Sequence, residues 1–407
     1  MLRNGKIFTG LLLASIIFAL LAGGMLPYLI LRVLMLMLIF SYVSIRVNKK
    51  NLACFFYIDK NEVMVGDTLT LGYKLNNTSI IPVAYAEIDC KIASRLGNAD
   101  IPGEVRMIKP LELVNIQREI KCIHRGIYPV GRLRVRLRDL FHLFEETIDF
   151  NNQLELKVYP RIAQIERMTI PAAEFFGNVR VSQNTYEDYS SVDSIRKYTP
   201  GDPVKKIHWK ATAKTGELYV KNFELSANAS ILFIIDGYHG SYGMDTDGSL
   251  EEKVIEVAGS VIRYCLSKNL HTSLTRTWGE RNSISGKDIG KFQLFLTSLM
   301  EFAPEGDLPL DKLLEREKGM VPWGTTLIVL SVHLSKRLCD EILSIRRKRI
   351  DVILILIRPS QIKSVDMDGH YGESLLKEKK VIIHKVYSDS DIREILGDEA
   401  CIQIRKA

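Results

Sequence analysis

The sequence predicts three layers of organisation: an apolar helical hairpin at the N-terminus, a β-sandwich of the immunoglobulin-like kind, and an α/β domain with a mostly parallel sheet. Three observations carry this. Two apolar runs fall within the first 45 residues, short β-rich segments separated by turn residues follow up to residue 160, and after residue 228 near-continuous apolar strands alternate with amphipathic helices. The 407 residues are enough for two or three domains.

Ile7–Ala22 is uncharged, and Leu26–Ile45 is apolar apart from Arg32, with Gly23, Gly24 and Pro27 between the runs. A span needs about 17–25 apolar residues, so two transmembrane helices are expected over about 7–24 and 26–45 within a 1–50 anchor. A basic start before a short apolar run also fits a cleaved signal peptide, but the second run following at once favours a hairpin. Arg3 and Lys6 precede the pair, and Arg46, Lys49 and Lys50 follow it. The positive-inside rule then places both ends, and the bulk of the chain, on the cytoplasmic side of the cell membrane. Six of the 55 basic residues and none of the 48 acidic ones lie in the first 50 positions, so beyond them the charges nearly cancel. Nucleic acid binding, which needs a basic face on the folded part, is therefore not expected. The six scattered cysteines show no metal-ligand spacing and read as free thiols.

Over 51–160, "DTLTLGYKLNN" (67–77), "AYAEIDCKI" (84–92), "ELVNIQREIKCI" (112–123) and "LELKVYP" (154–160) are β-rich and partly alternating, the basis for the sandwich. In "GRLRVRLRD", Arg132, Arg134, Arg136 and Arg138 alternate with aliphatics and share one strand face. That face reads either as a solvated surface or as a basic docking face for an acidic partner or lipid headgroups. Over 228–407, "ILFIID" (231–236), "TTLIVLSV" (325–332), "DVILILIRP" (351–359) and "KVIIHKVYS" (380–388) read as strands. Ser249–Lys268 and 335–349 have helical spacing, and the alternation argues for a covered parallel sheet with any site beyond the carboxyl ends of its strands.

Between these regions, residues 161–227 hold "YTPGDPVKKIHWKATAKTGELYVKNFE" (198–224). Asp202 reads as an N-cap and Pro203 as a first helical residue, which places Val204, Ile207, His208 and Ala211 on one inward helical face. Lys205, Lys206, Lys210 and Lys214 then form an outer rim suited to docking, and Trp209 supplies apolar area to the structure.

The order Asp193, Arg196, Tyr198, Gly201-Asp202, His208-Trp209-Lys210 and Lys214 resembles the signature of the domain-of-unknown-function 58 family. "RGIYPVG…RVRLRDLFHLF" (125–144) and "VYPRI" (158–162) resemble two further segments of that family, with departures at Leu140 and His142, where its pattern has Pro and Gly. The resemblance implies a membrane-proximal β domain and a C-terminal domain similar to von Willebrand factor A. By gene neighbourhood it implies partnership with MoxR-type AAA+ ATPases and transglutaminase-like membrane proteins. It implies no established activity.

Domains similar to von Willebrand factor A often hold a divalent metal through D-x-S-x-S after the first strand. Here Asp236 is present, but Tyr238 and Gly240 stand at the serine positions, and Ser331 and His333 follow the strand that begins with Thr325 and Thr326, the candidate supporting threonines. Asp236 therefore reads as the remnant of a degenerate metal site, and no cofactor or metal is expected. Asp245 and Asp247 read as a solvated acidic pair. His208 has Asp193 and Asp202 upstream, but no serine or cysteine lies in a nucleophile motif and no Walker-type loop is present, so no catalytic residue is assigned. The reading is a membrane-anchored interaction module, with a hydrolase or transferase using His208 and a metal-dependent adhesion module as the alternatives.

Overall fold

The computed structural model describes residues 3–90, 95–97, 103–171, 192–199, 207–223, 230–243, 245–276, 278, 283–319, 321–322, 324–360 and 367–396. The chain divides into two compact units, Met1–Arg161 and Ile162–Ala407.

The first unit opens with α1 (Arg3–Ala22) and α2 (Met25–Asn51), packed on each other and joined at Gly23 and Gly24. Both helices are long and apolar enough to cross a membrane. The second runs past the expected boundary at residue 45 because its last turns are held by protein. Ser41, Ser44, Ile45 and Asn48 follow helical spacing of three and four residues and are buried. They lie on the side that meets the strands, and Asn51 leads straight into β1 (Leu52–Ile58).

Next come β2 (Glu62–Met64), β3 (Thr68–Asn77), β4 (Val83–Cys90), β5 (Glu104–Ile108), β6 (Leu113–Lys121), β7 (Gly126–Arg138) and β8 (Glu145–Tyr159). They form a three-stranded sheet in the order β1-β3-β6 and a five-stranded one in the order β2-β8-β7-β4-β5. Pairing is antiparallel except between β2 and β8. Alternate residues point inward, and Tyr73 and Leu75 of one sheet cluster with Ile88, Leu133 and Val135 of the other.

The second unit contains β9 (Val192–Lys197), α3 (Trp209–Thr215) and β10 (Tyr219–Phe223), the two strands pairing antiparallel. It continues with β11 (Ser230–Ile235), α4 (Ser249–Ser267), β12 (His271–Thr275), β13 (Ser283–Gly286), α5 (Phe292–Met300), α6 (Leu310–Glu317), β14 (Thr325–Ser331), α7 (Lys336–Arg347), β15 (Asp351–Arg358), α8 (Met367–Glu378), β16 (Ile382–Tyr387) and α9 (Ile392–Leu396). The main sheet has the order β13-β12-β11-β14-β15-β16 and is parallel apart from the β12–β13 pair.

Both faces of this sheet are covered, which is why its central strands are apolar throughout. Ile231, Phe233, Ile353 and Ile355 pack with Val254, Val257 and Val261 of α4 on one face. Leu327, Val329, Val352 and Leu354 pack with Leu313 of α6 and Ile342 of α7 on the other. The chain leaves β11 in one direction to build β12 and β13, then crosses back to place β14 on the other side of β11. Strand order therefore reverses between β11 and β14, the position where an open α/β sheet leaves a crevice beyond its carboxyl ends.

The five described cysteines, Cys54, Cys90, Cys122, Cys265 and Cys339, are unbridged, and all except half-buried Cys54 are buried. Burial pushes the Cys90 and Cys339 thiols up to about 11.

Candidate functional site

The crevice between β11 and β14 holds a cavity of 1040 Å³ lined by Asp236, Tyr238, Ser331, His333, Arg337 and Arg358 among others. Asp236 follows the last residue of β11 and is only 2% exposed. Its Oδ2 accepts a hydrogen bond from Ser331 Oγ at 2.9 Å and its Oδ1 from the Tyr238 amide at 3.2 Å. The Tyr242 hydroxyl donates to the Asp236 carbonyl at 2.8 Å, which fixes the turn that carries it. Desolvation raises the Asp236 pKa above the ordinary carboxylate range, against hydrogen bonds from Tyr238, Ser241 and Ser331 that lower it.

This is the chemistry of a hydrogen-bonded buried carboxyl, and it does not fit a hard cation. Both carboxyl oxygens already accept protein hydrogens, and a cation of that class needs several converging oxygen ligands. The Tyr238 ring also occupies the space a side chain at 240 would need: a Cβ on Gly240 would lie 2.4 Å from Tyr238 Cε1. Among the described residues, no three His, Cys, Asp or Glu side chains converge as metal ligands. The candidate supporting threonines are corrected by the register. Thr325 pairs with Ser230 and Thr326 with Ile231, at the start of β14 and the far end of the sheet from Asp236. There Thr325 Oγ1 shares a 2.7 Å hydrogen bond with Ser230 Oγ.

The acidic pair nearby is also structural rather than merely solvated. Asp245 accepts from the Leu250 and Glu251 amides, and Asp247 from the Ser249 amide, which satisfies the open N-terminal turn of α4.

Arg337, Lys312 and Arg358 were not singled out from the sequence, although each follows a recognisable cue. Arg337 lies in the first turn of the helix after β14, Lys312 in the first turn of α6, and Arg358 ends β15. Ser335 caps α7 by accepting from the Leu338 amide at 3.1 Å. Arg358 is tied to buried Glu373 at 3.2 Å, and Lys385 reaches the same carboxylate at 2.5 Å. With Lys312, Arg337 and Arg358 set against Asp311, the rim of the crevice carries net positive charge around a carboxyl that burial disfavours as an anion.

The sign of that last effect gives a test. A carboxyl whose folded pKa lies above its unfolded value contributes stability while protonated, and the contribution is lost as pH rises through the folded pKa. Asp236→Asn keeps an acceptor for the Tyr238 amide. Its Nδ2 can donate to Ser331 Oγ, whose own hydrogen then goes to the His333 carbonyl, 2.8 Å away. We expect D236N to gain stability relative to the wild type as pH rises from 4 to 8, read from thermal melts at both values.

The signature segment differs in phase from its sequence reading. Asp202, Gly201 and the expected start of the helix lie outside the described residues, as does the side chain of Asp193. The described helix begins at Trp209, and His208 is its N-cap: Nδ1 accepts from the Ala211 amide at 2.9 Å. Ile207 is not on a helical face but forms a β-bridge with Val220, and the His208 amide donates to the Tyr219 carbonyl at 2.8 Å. Chain pairing, not helical spacing, buries this segment. Trp209 is correspondingly 65% exposed, against the expectation that it supplies buried area, and Lys210 and Lys214 are exposed beside it on α3. Half-buried Tyr198 donates its amide to Leu218, and exposed Arg196 reaches Thr199 Oγ1 at 3.0 Å. Through Nδ1 the His208 ring thus serves to cap the first turn of α3.

The arginines of β7 do share one face, but acids on neighbouring strands answer their charge. Arg134 pairs with Asp149 at 2.7 Å, Arg136 with Glu87 at 2.9 Å and Arg138 with Glu145 at 2.7 Å. Arg132 is exposed and lies opposite Asn151.

Comparison with known proteins finds a family match within the second unit. Residues 194–379 match the family described as "Protein of unknown function DUF58". The DUF58 match begins inside β9, one residue after Asp193, and takes in the rest of the signature and the crevice between β11 and β14. A curated relative, the uncharacterized protein YeaD of Bacillus subtilis, is 25% identical over 230 residues, which are 55% of this chain and 56% of that protein. The matched stretch is thus little more than half of either protein. Among solved structures, the pilus adhesin SpaC of Lactobacillus rhamnosus GG aligns with a TM-score of 0.28 at 12% identity, over 58% of this chain and 36% of that one. The DNA glycosylase AlkC of Pseudomonas fluorescens aligns with a TM-score of 0.15 at 15% identity, over 34% of this chain and 43% of that one. Scores this low do not correspond to a shared fold.

Proposed function

We propose that this chain is a membrane-anchored interaction module whose cationic crevice between β11 and β14 receives an acidic surface of a partner protein. The crevice itself carries the reading: Lys312 and Arg337 stand at its rim, and its one buried carboxyl is engaged by protein donors rather than arranged for a cation. Charge complementarity of this kind steers and orients an acidic partner. The parallel sheet with its order reversal supports the von Willebrand factor A-like reading of the second unit, and two facing sheets with a shared core support the immunoglobulin-like reading of the first. Two apolar helices flanked by Arg3, Lys6, Arg46, Lys49 and Lys50 support a two-span anchor with the bulk of the chain in the cytoplasm.

The partner we propose is a MoxR-type AAA+ ATPase, on the strength of the family resemblance, with a transglutaminase-like membrane protein as a second associate. The full chain purified from detergent-solubilised membranes should bring the neighbouring ATPase with it, and Arg337→Glu should abolish that recovery while leaving the melting temperature in place. An ATPase that never co-purifies, or that is recovered equally well with R337E, would overturn the proposal.

A further inference from the structure

One end of the β unit is built differently from the other. The β3–β4, β5–β6 and β7–β8 loops all lie at the end where α2 enters, and each presents a large apolar residue to the outside. Ile80 is 82% exposed, Leu111 69% and Leu140 61%. At the opposite end, among the described residues, the β1–β2 turn is Asp59-Lys60-Asn61, all exposed, the β2–β3 turn holds Gly66 and Asp67, and Ile123 of the β6–β7 loop is only 39% exposed. Isolated exposed aliphatics are ordinary, but three on neighbouring loops at one end are a patch.

The loops are fastened to α2 and to one another. Asp139, which opens the β7–β8 loop, accepts from Ser41 Oγ at 2.6 Å. Asn48 donates to the Pro82 carbonyl at 3.1 Å and accepts from Ser79 Oγ at 3.1 Å, and the Leu111 amide reaches the Ser79 carbonyl at 3.1 Å. Leu111 holds its position with φ of 55°, a conformation an aliphatic side chain adopts only where its surroundings impose it. The apolar surface of α2 runs directly into this rim: Ile39, Phe40, Tyr42 and Val43 are all exposed, with Arg46 stacked over the Tyr42 ring at 5.4 Å. A tyrosine with an arginine over it, at the end of an apolar helix, is the chemistry found at the headgroup level of a bilayer.

We infer that Ile80, Leu111 and Leu140 form a rim that dips into the interface of the bilayer α2 crosses, seating the β unit on the lipid surface. This rests on the reading of α1 and α2 as an anchor. The occupant is lipid rather than protein because the rim continues the exposed apolar face of α2 and surrounds the turns where that helix leaves its apolar run. Arg46 and Lys49, which also pair with Glu146 at 3.6 and 2.7 Å, bring positive charge to the same level.

The full chain carrying Leu140→Trp, reconstituted in vesicles of phosphatidylcholine and phosphatidylglycerol, tests this against Lys60→Trp at the far end. In vesicles made with lipids brominated near the headgroup, the emission added by L140W should be blue-shifted and quenched, and that added by K60W should be neither. Equal quenching of the two, with the chain still retained after alkaline carbonate, overturns the rim and leaves the anchor standing. Release of the chain by carbonate overturns the anchor and the rim with it. Both substitutions are at exposed positions, so the fold is not at stake.

Discussion

Gly131→Ala is expected to destabilise the protein by about 3–5 kcal/mol, one of the largest single-residue effects in the β unit. Gly131 lies in β7 with φ of 96°, at the irregularity where the register with β8 shifts between Val130 and Arg132. Two penalties add there. The backbone occupies a region that L side chains rarely enter, and a Cβ would lie 2.4 Å from the Asn152 carbonyl oxygen, a backbone atom that cannot move aside alone. Thermal or denaturant melts of the detergent-solubilised chain check it, and a G131A midpoint indistinguishable from wild type would refute the account. The bulge also explains why "RGIYPVG" reads as a unit. Tyr128 donates its hydroxyl to the His124 and Arg125 carbonyls at 3.0 and 3.1 Å, so the start of the strand is pinned just before the register changes.

Asp139→Ala should cost about 3 kcal/mol, while Ser41→Ala should cost about 1 kcal/mol. The Asp139 carboxylate accepts four donors: the amides of Phe141, Leu143 and Phe144, and the Ser41 hydroxyl. Removing it strips partners from three loop amides at once, whereas removing Ser41 leaves the loop folded and loses one bond to α2. This order, with wild type most stable, S41A intermediate and D139A least, distinguishes a loop organised by Asp139 from one organised by its aromatic residues. If D139A melted with S41A, the aromatic contacts, including the Tyr42–Phe144 edge contact with ring centroids 5.9 Å apart, would be doing the work. The same carboxylate shows how the loop closes with Leu140 and His142 at the positions where the resemblance expects Pro and Gly. His142 takes φ of 52° and rests edge-on against Tyr85, with ring centroids 5.5 Å apart.

What the sequence discloses depends on whether burial is two-sided. β11, β14 and β15 are legible because helices cover both faces and every position is apolar. β13, "SISG", escapes notice because it is a short edge strand that buries little, and β12, "HTSLT", because Leu274 is the one aliphatic among its alternating buried positions. β1 is hidden for another reason: "LACFFYI" shows no alternation of polarity, and the "NKKN" before it looks like a break although it is the last turn of α2. The α6 segment "LDKLLERE" is eight residues long, too short for its spacing to stand out.

The same limit applies to the site. Asp236 and Ser331 are legible as residues at strand ends, but that they touch is a property of parallel register, which also sends Thr325 and Thr326 to the far end. The arginines of β7 are legible as a face, while the acids that answer them lie on β4 and β8 and become visible only once the strands are paired. At Ile207 the helical spacing of the sequence gives way to the bridge with Val220, and the described helix starts only at Trp209. Propensity and spacing lose there to a tertiary pairing.

The unbroken passage from α2 into β1 has a consequence for how this chain can vary. Each residue added to an α-helix turns everything before it by about 100°. One insertion between Ser41 and Asn51 would therefore rotate Ser41 away from Asp139 while β1 stayed in its sheet. No loop at the junction is present to absorb the mismatch. Substitutions in this stretch are tolerable one at a time, but its length is locked, as the tooth count of a gear is locked by the wheel it meshes with.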